Sequence, residues 1–311
     1  MTDSCEMMEK TEEISFKRVS KDQKEAEKIL RPATTFIQDA WARFKRNKLG
    51  LVGLIIIVIM LIFAIIGPMV IPYDYRSQSL DNAFKAPGAE HLMGTDNLGR
   101  DMFVRLAYGA RISLACGFAA SLISLGIGVI YGTISGYAGG KVDEIMMRIV
   151  DIISSIPSML YVILLMVVLG NSLTNVFIVI GVTGWLGMAR LVRGQVLSLK
   201  EREFVLAAKV SNVSNWHIML KHLIPNAFGP IIVSMTLSIP SAIFLEASLQ
   251  FLGLGISAPM PSWGGLAQEG ISALRSYPYL LWFPAIFISV TILAFNFLGD
   301  ALRDALDPKQ N

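Results

Sequence analysis

The feature that most constrains this chain is a run of apolar residues with no ionisable group, "LGLVGLIIIVIMLIFAIIGPMVI", over positions 49–71. An α-helix needs about 20 such residues to cross the roughly 30 Å hydrocarbon core of a bilayer. Five further runs reach a comparable length, at 110–137, 144–169, 174–191, 227–251 and 280–298. Six spans are therefore predicted, making an all-α integral membrane protein. Pro157 and Pro240 fall inside the third and fifth runs. Proline bends such helices and is tolerated where neighbours satisfy the freed carbonyls. Charged residues make up only 16% of the chain, against about a quarter in water-soluble domains. A soluble globular domain is excluded.

The polar segments between the runs set the organisation. Residues 1–35, rich in Lys, Glu, Asp and Ser, read as a flexible cytosolic tail. Residues 36–72 combine the first span with "FIQDAWARFKRNK", where Ile37, Trp41 and Phe44 stand at helical spacing among cations. That pattern suits a short surface helix or an extension of the first span. A polar, turn-rich loop covers 73–109, a core of five spans covers 110–302, and 303–311 form a cytosolic C-terminus. "MTDSC" lacks the apolar region of a signal peptide, so the first span is expected to remain in the mature chain and Cys5 to carry no lipid. Lys and Arg fix the orientation. With the N-terminus inside, 21 of the 27 fall on cytosolic segments. Both termini and the polar segment 200–226 are then cytosolic.

Small residues recur at every fourth position of the second span: Cys116, Ala120, Ser124, Gly128, Gly132, Gly136 and Gly140. Such a stripe lets a neighbouring backbone approach closely, so these glycines are candidate helix-packing positions. Asp151 and Glu246 are acids inside apolar runs. A charge in lipid costs roughly 2.5–3.5 kcal/mol on insertion scales, so each is expected to face protein or water. Arg148, one turn before Asp151, is the expected ion-pair partner, with a place on a translocation path or gate as the alternative for Asp151. Glu246 has no local cation; it lines a translocation path or gate, or bonds polar groups of the following loop. Trp263 reads as an interfacial anchor by default, with a prop under a substrate-delivering protein as the alternative.

Several other signals are discounted. "SGYAGGKVD" fails as a phosphate-binding loop, with Ser135 at the first Gly position and Val142 at the Ser/Thr position. His217 and His222, five apart, fall on different sides of an α-helix, so no metal site is expected. Nothing in the sequence marks a nucleic-acid partner.

The segment "EFVLAAKVSNVSNWHIMLKHLIPN" (203–226) separates spans four and five. Glu201 and Glu203 suit the first turn of a short helix, where the helix dipole favours acids. Ala207 and Ala208 make its surface shallow. Asn212 breaks the run, Ser214 can cap a second helix, and Pro225 ends or bends it. The prediction is helix, tight turn, helix.

These residues resemble the EAA loop of ABC-importer membrane subunits: E-A-A, three residues, G, nine residues, I-x-L-P. Glu203, Phe204, Val205, Ala207, Ala208, Lys209, His222, Pro225 and Asn226 match its peptide-importer form. "HLMGTDNLGRDMFVRLAYGARISL", "LEASLQFLGLGISAPMPSWGG" and "LGDALRDALDP" are similar, in the same order, to signatures of the C-type permease of dipeptide, oligopeptide and nickel importers. The resemblance covers residues 36–309. It implies a type I (MetI-like) permease fold and a multi-pass subunit of the bacterial cytoplasmic membrane that is not itself an enzyme. The implied partners are a second homologous permease, two ATP-binding subunits that carry ATP and Mg, and an extracellular or periplasmic solute-binding protein. Coupling to the ATPases would fall to Glu203, Ala207, Ala208, Lys209, Asn212, His222 and Pro225. The chain departs from the pattern at Leu206, in place of the nominal acid, and at Asn212, in place of Gly. Asn is the residue next most tolerant of positive φ, so the turn is expected to survive. Short peptides are the first expected solute, with a nickel chelate or another small solute as the alternative. An ion-driven secondary transporter would want more intramembrane charges than Asp151 and Glu246.

Overall fold

A computed structural model describes residues 35–307. The tail expected over 1–35 lies, apart from Thr35, outside the described residues, as does Cys5. The compact body begins at Ala40. Among the described residues all regular structure is helical, apart from one isolated bridge between Thr95 and Asp101.

A short helix α1 (Phe36–Phe44) precedes α2 (Lys48–Val70), with Asn47 between them capping α2 by accepting from Gly50 N at 3.0 Å. The two helices are thus separate. Phe44 turns inward against Ala301 and Ala305, while Trp41 stays half exposed. Along α2 the buried positions are Gly50, Gly53, Ile57, Ala64 and Gly67, and the exposed ones are large: Leu49, Val52, Ile55, Ile59, Ile62, Ile65. Small residues inside and branched apolar residues outside is how a helix faces lipid, which offers no hydrophobic drive toward its neighbours.

The predicted spans correspond to α2, α3 (Met102–Ala138), the broken pair α4 (Gly140–Ser155) and α5 (Ser158–Leu169), α6 (Leu173–Leu199), α10 (Phe228–Phe251) and α12 (Tyr279–Leu306). Three of them outrun their apolar stretches. α3 begins eight residues early, because Asp101 caps it through Val104 N and its charges are satisfied outside the helix. Arg105, for instance, donates to Asp96 and Glu269, both outside α3. α6 and α12 each continue eight residues beyond the expected end. The third span is broken outright, with an 85° angle between α4 and α5. Pro157 pushes Ile156 into extended backbone (ψ 131°), as a residue before proline prefers. Pro240, by contrast, sits within an unbroken α10.

The most extensive packing joins α3 to α6. Cβ atoms added at Gly128, Gly132 and Gly136 would lie 2.6 Å from Met188 Cβ, 2.4 Å from the Ala189 carbonyl and 2.9 Å from the Arg193 carbonyl. The stripe is thus a contact surface within this chain. Gly140 is not part of it; exposed, with φ +52°, it opens α4 after the turn at Gly139. Two cores follow. One joins α2, α3, α10, α12 and the short helix α11 (Trp263–Ser272); the other joins α3, α5, α6 and α10. Trp263, expected at an interface, is fully buried in the first, its indole N–H donating to the Leu106 carbonyl at 3.1 Å. A large aromatic with a satisfied N–H fills a core as readily as it marks a membrane surface.

Candidate functional site

Segment 200–226 folds as two rods on the shared end of α3 and α6. α7 (Glu203–Val210) has Glu203 in its first turn; Glu201 lies before the helix rather than in it. Asn212 adopts φ +56°, the left-handed conformation expected there. Ser214 then caps α8 (Asn215–Ile218) through His217 N. The second rod differs from an ordinary α-helix. Met219–Leu223 is a π-helical turn, after which α9 (Ile224–Asn226) leads toward α10 with Pro225 inside it. Five residues then separate side chains on one face, so His217 and His222, expected on different sides, stand with ring centroids 6.1 Å apart. Phe204 of α7 lies 6.4 Å from the His222 ring and links the rods.

The base of the site is apolar. Val205, Ala208, Ile218, Met219, Leu223 and Ala227 are buried against Met188, Val192 and Val196 of α6 and Ile231 of α10. Polar contacts fasten it further. Tyr137 of α3 donates to Asn215 Oδ1 at 2.7 Å, Lys209 lies 5.5 Å over the Tyr137 ring, and Lys200 donates to the Gly136 carbonyl at 3.1 Å. Of the two alanines only Ala207 is exposed; Ala208 belongs to the base. The outward face combines Glu203, Ala207, Lys209, Asn212 and Pro225 with large apolar side chains: Phe204, Leu206, Val210, Trp216 and Leu220. Val210, at 89% exposure, has almost no cover. The sequence reading missed Val210, Trp216 and Leu220 as surface residues, because apolar character alone points inward.

The two acids of the apolar runs lie elsewhere. Asp151 pairs with Arg190 of α6 at 3.1 Å, not with Arg148. Arg190 also donates to Ser154, so the contact crosses between helices rather than running along one. Glu246 is completely enclosed, its Oε2 accepting from Ser113 at 3.3 Å and its Oε1 unpartnered. Ser113 in turn accepts from Trp263 N, which sets Glu246 at the junction of α3, α10 and α11. At the same end, Arg100 and Arg105 are shared by Asp96 and Glu269, tying the loop before α3 to α11. Asp96, Arg100 and Arg105 lie in the signature at 91–114, but nothing in the sequence tied them to Glu269.

An all-helical membrane bundle with such a two-rod element defines the class, and the chain belongs to the family of binding-protein-dependent transport system inner membrane components, which it matches over residues 128–311. Residues 35–87 match the N-terminal TM domain of oligopeptide transport permease C. Among its relatives, the oligopeptide transport system permease protein OppC of Bacillus subtilis is 53% identical over 92% of this chain and 93% of that protein. The dipeptide transport system permease protein DppC of the same species is 51% identical over 92% and 90%. OppC of Escherichia coli is 45% identical over 91% and 95%. The fold is that of a type I, MetI-like permease. An inward-facing structure of the MetNI methionine ABC transporter aligns with a TM-score of 0.51 at 17% identity, over 64% of this chain and 94% of that one.

Proposed function

We propose that this chain is one of two homologous permease subunits of an ATP-driven importer of short peptides in a bacterial cytoplasmic membrane. Its termini and residues 200–226 face the cytosol. The observation that carries the reading is its identity, along nine-tenths of its length, to permeases named for oligopeptides and dipeptides. The exposed apolar face of α7 and α8 supports it, since such a face suits a groove on another protein. ATP and Mg would be held by two separate ATPase subunits, and a solute-binding protein would deliver peptide from outside. This chain contributes a path and a handle, not a covalent step.

The mechanics follow from the base of the site. The rods are packed onto α6 and α10 and bonded to the end of α3, so a displacement of the handle carries those helices with it. Closure of the ATPase pair would draw the two handles together and bias the bundle toward one of two arrangements, and hydrolysis would release it. Glu203, Ala207, Lys209, Asn212 and Pro225 would meet the ATPase, while Ala208 and His222 hold the rods in place. The test is uptake in a strain lacking this gene. Loss of labelled di- and tetrapeptide uptake, restored by the intact gene, is the expected result. Loss of nickel uptake with peptide uptake unaffected would overturn the peptide reading.

A further inference from the structure

The 16 residues of α4 divide into three sectors. At 3.6 residues per turn, Val142, Ile145, Ile149 and Ile152 fall within an arc of about 80°. All four are 45–63% exposed. A second arc holds Lys141, Glu144, Arg148, Asp151 and Ser155, also exposed. The third faces the bundle: Asp143 bonds Ser135 and, through both carboxylate oxygens, Arg193, while Tyr131 donates to the Met146 carbonyl and Val150 is buried. Apolar, wet and protein-facing sides at nearly even angles are what a helix lying in a membrane interface presents.

Two rulers give its depth. Along α6 no charge occurs from Leu173 to Ala189, and Arg190, which grips Asp151 and Ser154 of α4, stands about 26 Å below the start of α6 at 1.5 Å per residue. Along α3 the last charge is Arg111, and Tyr131, which holds Met146, lies about 29 Å beyond Ile112 by the same rise. Both match the roughly 30 Å hydrocarbon thickness. α4 thus crosses the bundle where the uncharged stretch of α6 ends, one membrane thickness beyond Arg111 on α3, and it turns 85° away from α5, which returns along α6.

We propose that α4 lies in the plane of the bilayer interface at the α7 end, with its isoleucine stripe immersed in phospholipid acyl chains and its Lys141–Arg148 side among the headgroups. The helix braces α3 and α6 against the membrane through the Asp143–Arg193 and Asp151–Arg190 pairs. The inference requires only that the chain spans a bilayer and does not depend on the solute. The stripe matches the exposed, lipid-type face of α2, where Val52, Ile55, Ile59, Ile62 and Ile65 are likewise large and branched.

The test uses the assembled transporter in nanodiscs of phosphatidylethanolamine and phosphatidylglycerol, with Cys5→Ser and Cys116→Ala as background. Spin labels are placed singly at Ile145, Ile149 and Ile152 and at Lys141, Glu144 and Arg148. Oxygen is expected to relax the isoleucine-site labels more strongly than a water-soluble nickel chelate, with the order reversed at the other three and no steady drift in depth along the helix. Labels at the isoleucine sites reached by neither agent would mean that a protein partner, such as the second permease, covers the stripe. Labels reached mainly by the chelate at all six would place α4 in water. A steady gain in depth from 141 to 152 would make it part of an ordinary span. Each of those three results overturns the proposal.

Discussion

Asn212 controls the angle between α7 and α8 through a backbone conformation that few side chains accept. At φ +56° an ordinary L-residue costs roughly 1–2 kcal/mol, least for Asn and more for a β-branched one. Asn212→Gly should keep peptide-stimulated ATPase activity in the assembled transporter, whereas Asn212→Val should lose most of it. Equal activity in the two variants would mean that φ at this residue does not set the handle. The alanine pair separates in the same way. Ala208→Leu overfills the base and should lower stability by about 1–3 kcal/mol, read as a lower Tm in detergent. Ala207→Leu should leave Tm unchanged and reduce ATP-coupled uptake. The turn at Asn212 was legible because a familiar Gly position holds the next most tolerant residue. The difference between Ala207 and Ala208 was not, since adjacent helical residues diverge by about 100° and the buried face depends on α6. His217 and His222 were misjudged for a related reason: nothing local in "HIMLKH" announces a π-helical turn.

Among the elements, α3 and α6 form the stiff pair that the handle moves. Their contact depends on the absence of side chains at Gly128, Gly132 and Gly136. Gly132→Val would drive a branched side chain into the Ala189 carbonyl, 2.4 Å from the ideal Cβ position. Because backbone cannot move aside cheaply, a loss of about 1–3 kcal/mol or more is expected, read as a Tm drop and reduced yield of the assembled complex. Gly126→Ala, on the same helix, should have far less effect, since nothing lies within 4 Å of its Cβ. The repeat of small residues was visible in the sequence; where it stopped was not, because only the turn at Gly139 takes Gly140 off the helix. Span number was legible from hydropathy, but helix ends were not. Hydropathy measures the lipid the chain must cross, while α3, α6 and α12 continue into water on caps and ion pairs. Pro157 foretold a bend, and the depth of the 85° break depends on what α4 meets at α3 and α6.

At the scale of the whole molecule, the two ends of the bundle are built differently. The α11 end is closed by buried charge: Asp96 accepts from both Arg100 and Arg105, and Glu269 shares the same two cations. Asp96→Ala would leave nearly buried guanidinium groups with one half-exposed acid, and breaking such a buried pair costs about 3–5 kcal/mol. A fall in Tm without loss of ATPase-subunit binding is the expected signature, because the damage lies at the end away from α7 and α8. The α7 end instead leaves apolar side chains uncovered on a firmly packed base, and the account as a whole depends on what covers them. The direct measurement is photocrosslinking in intact cells from probes at Ala207 and Val210, with Leu122, exposed midway along α3, as control. The account predicts adducts with an ATP-hydrolysing subunit from the first two positions and none from the third. Active transport with no such adduct from either Ala207 or Val210 would contradict it.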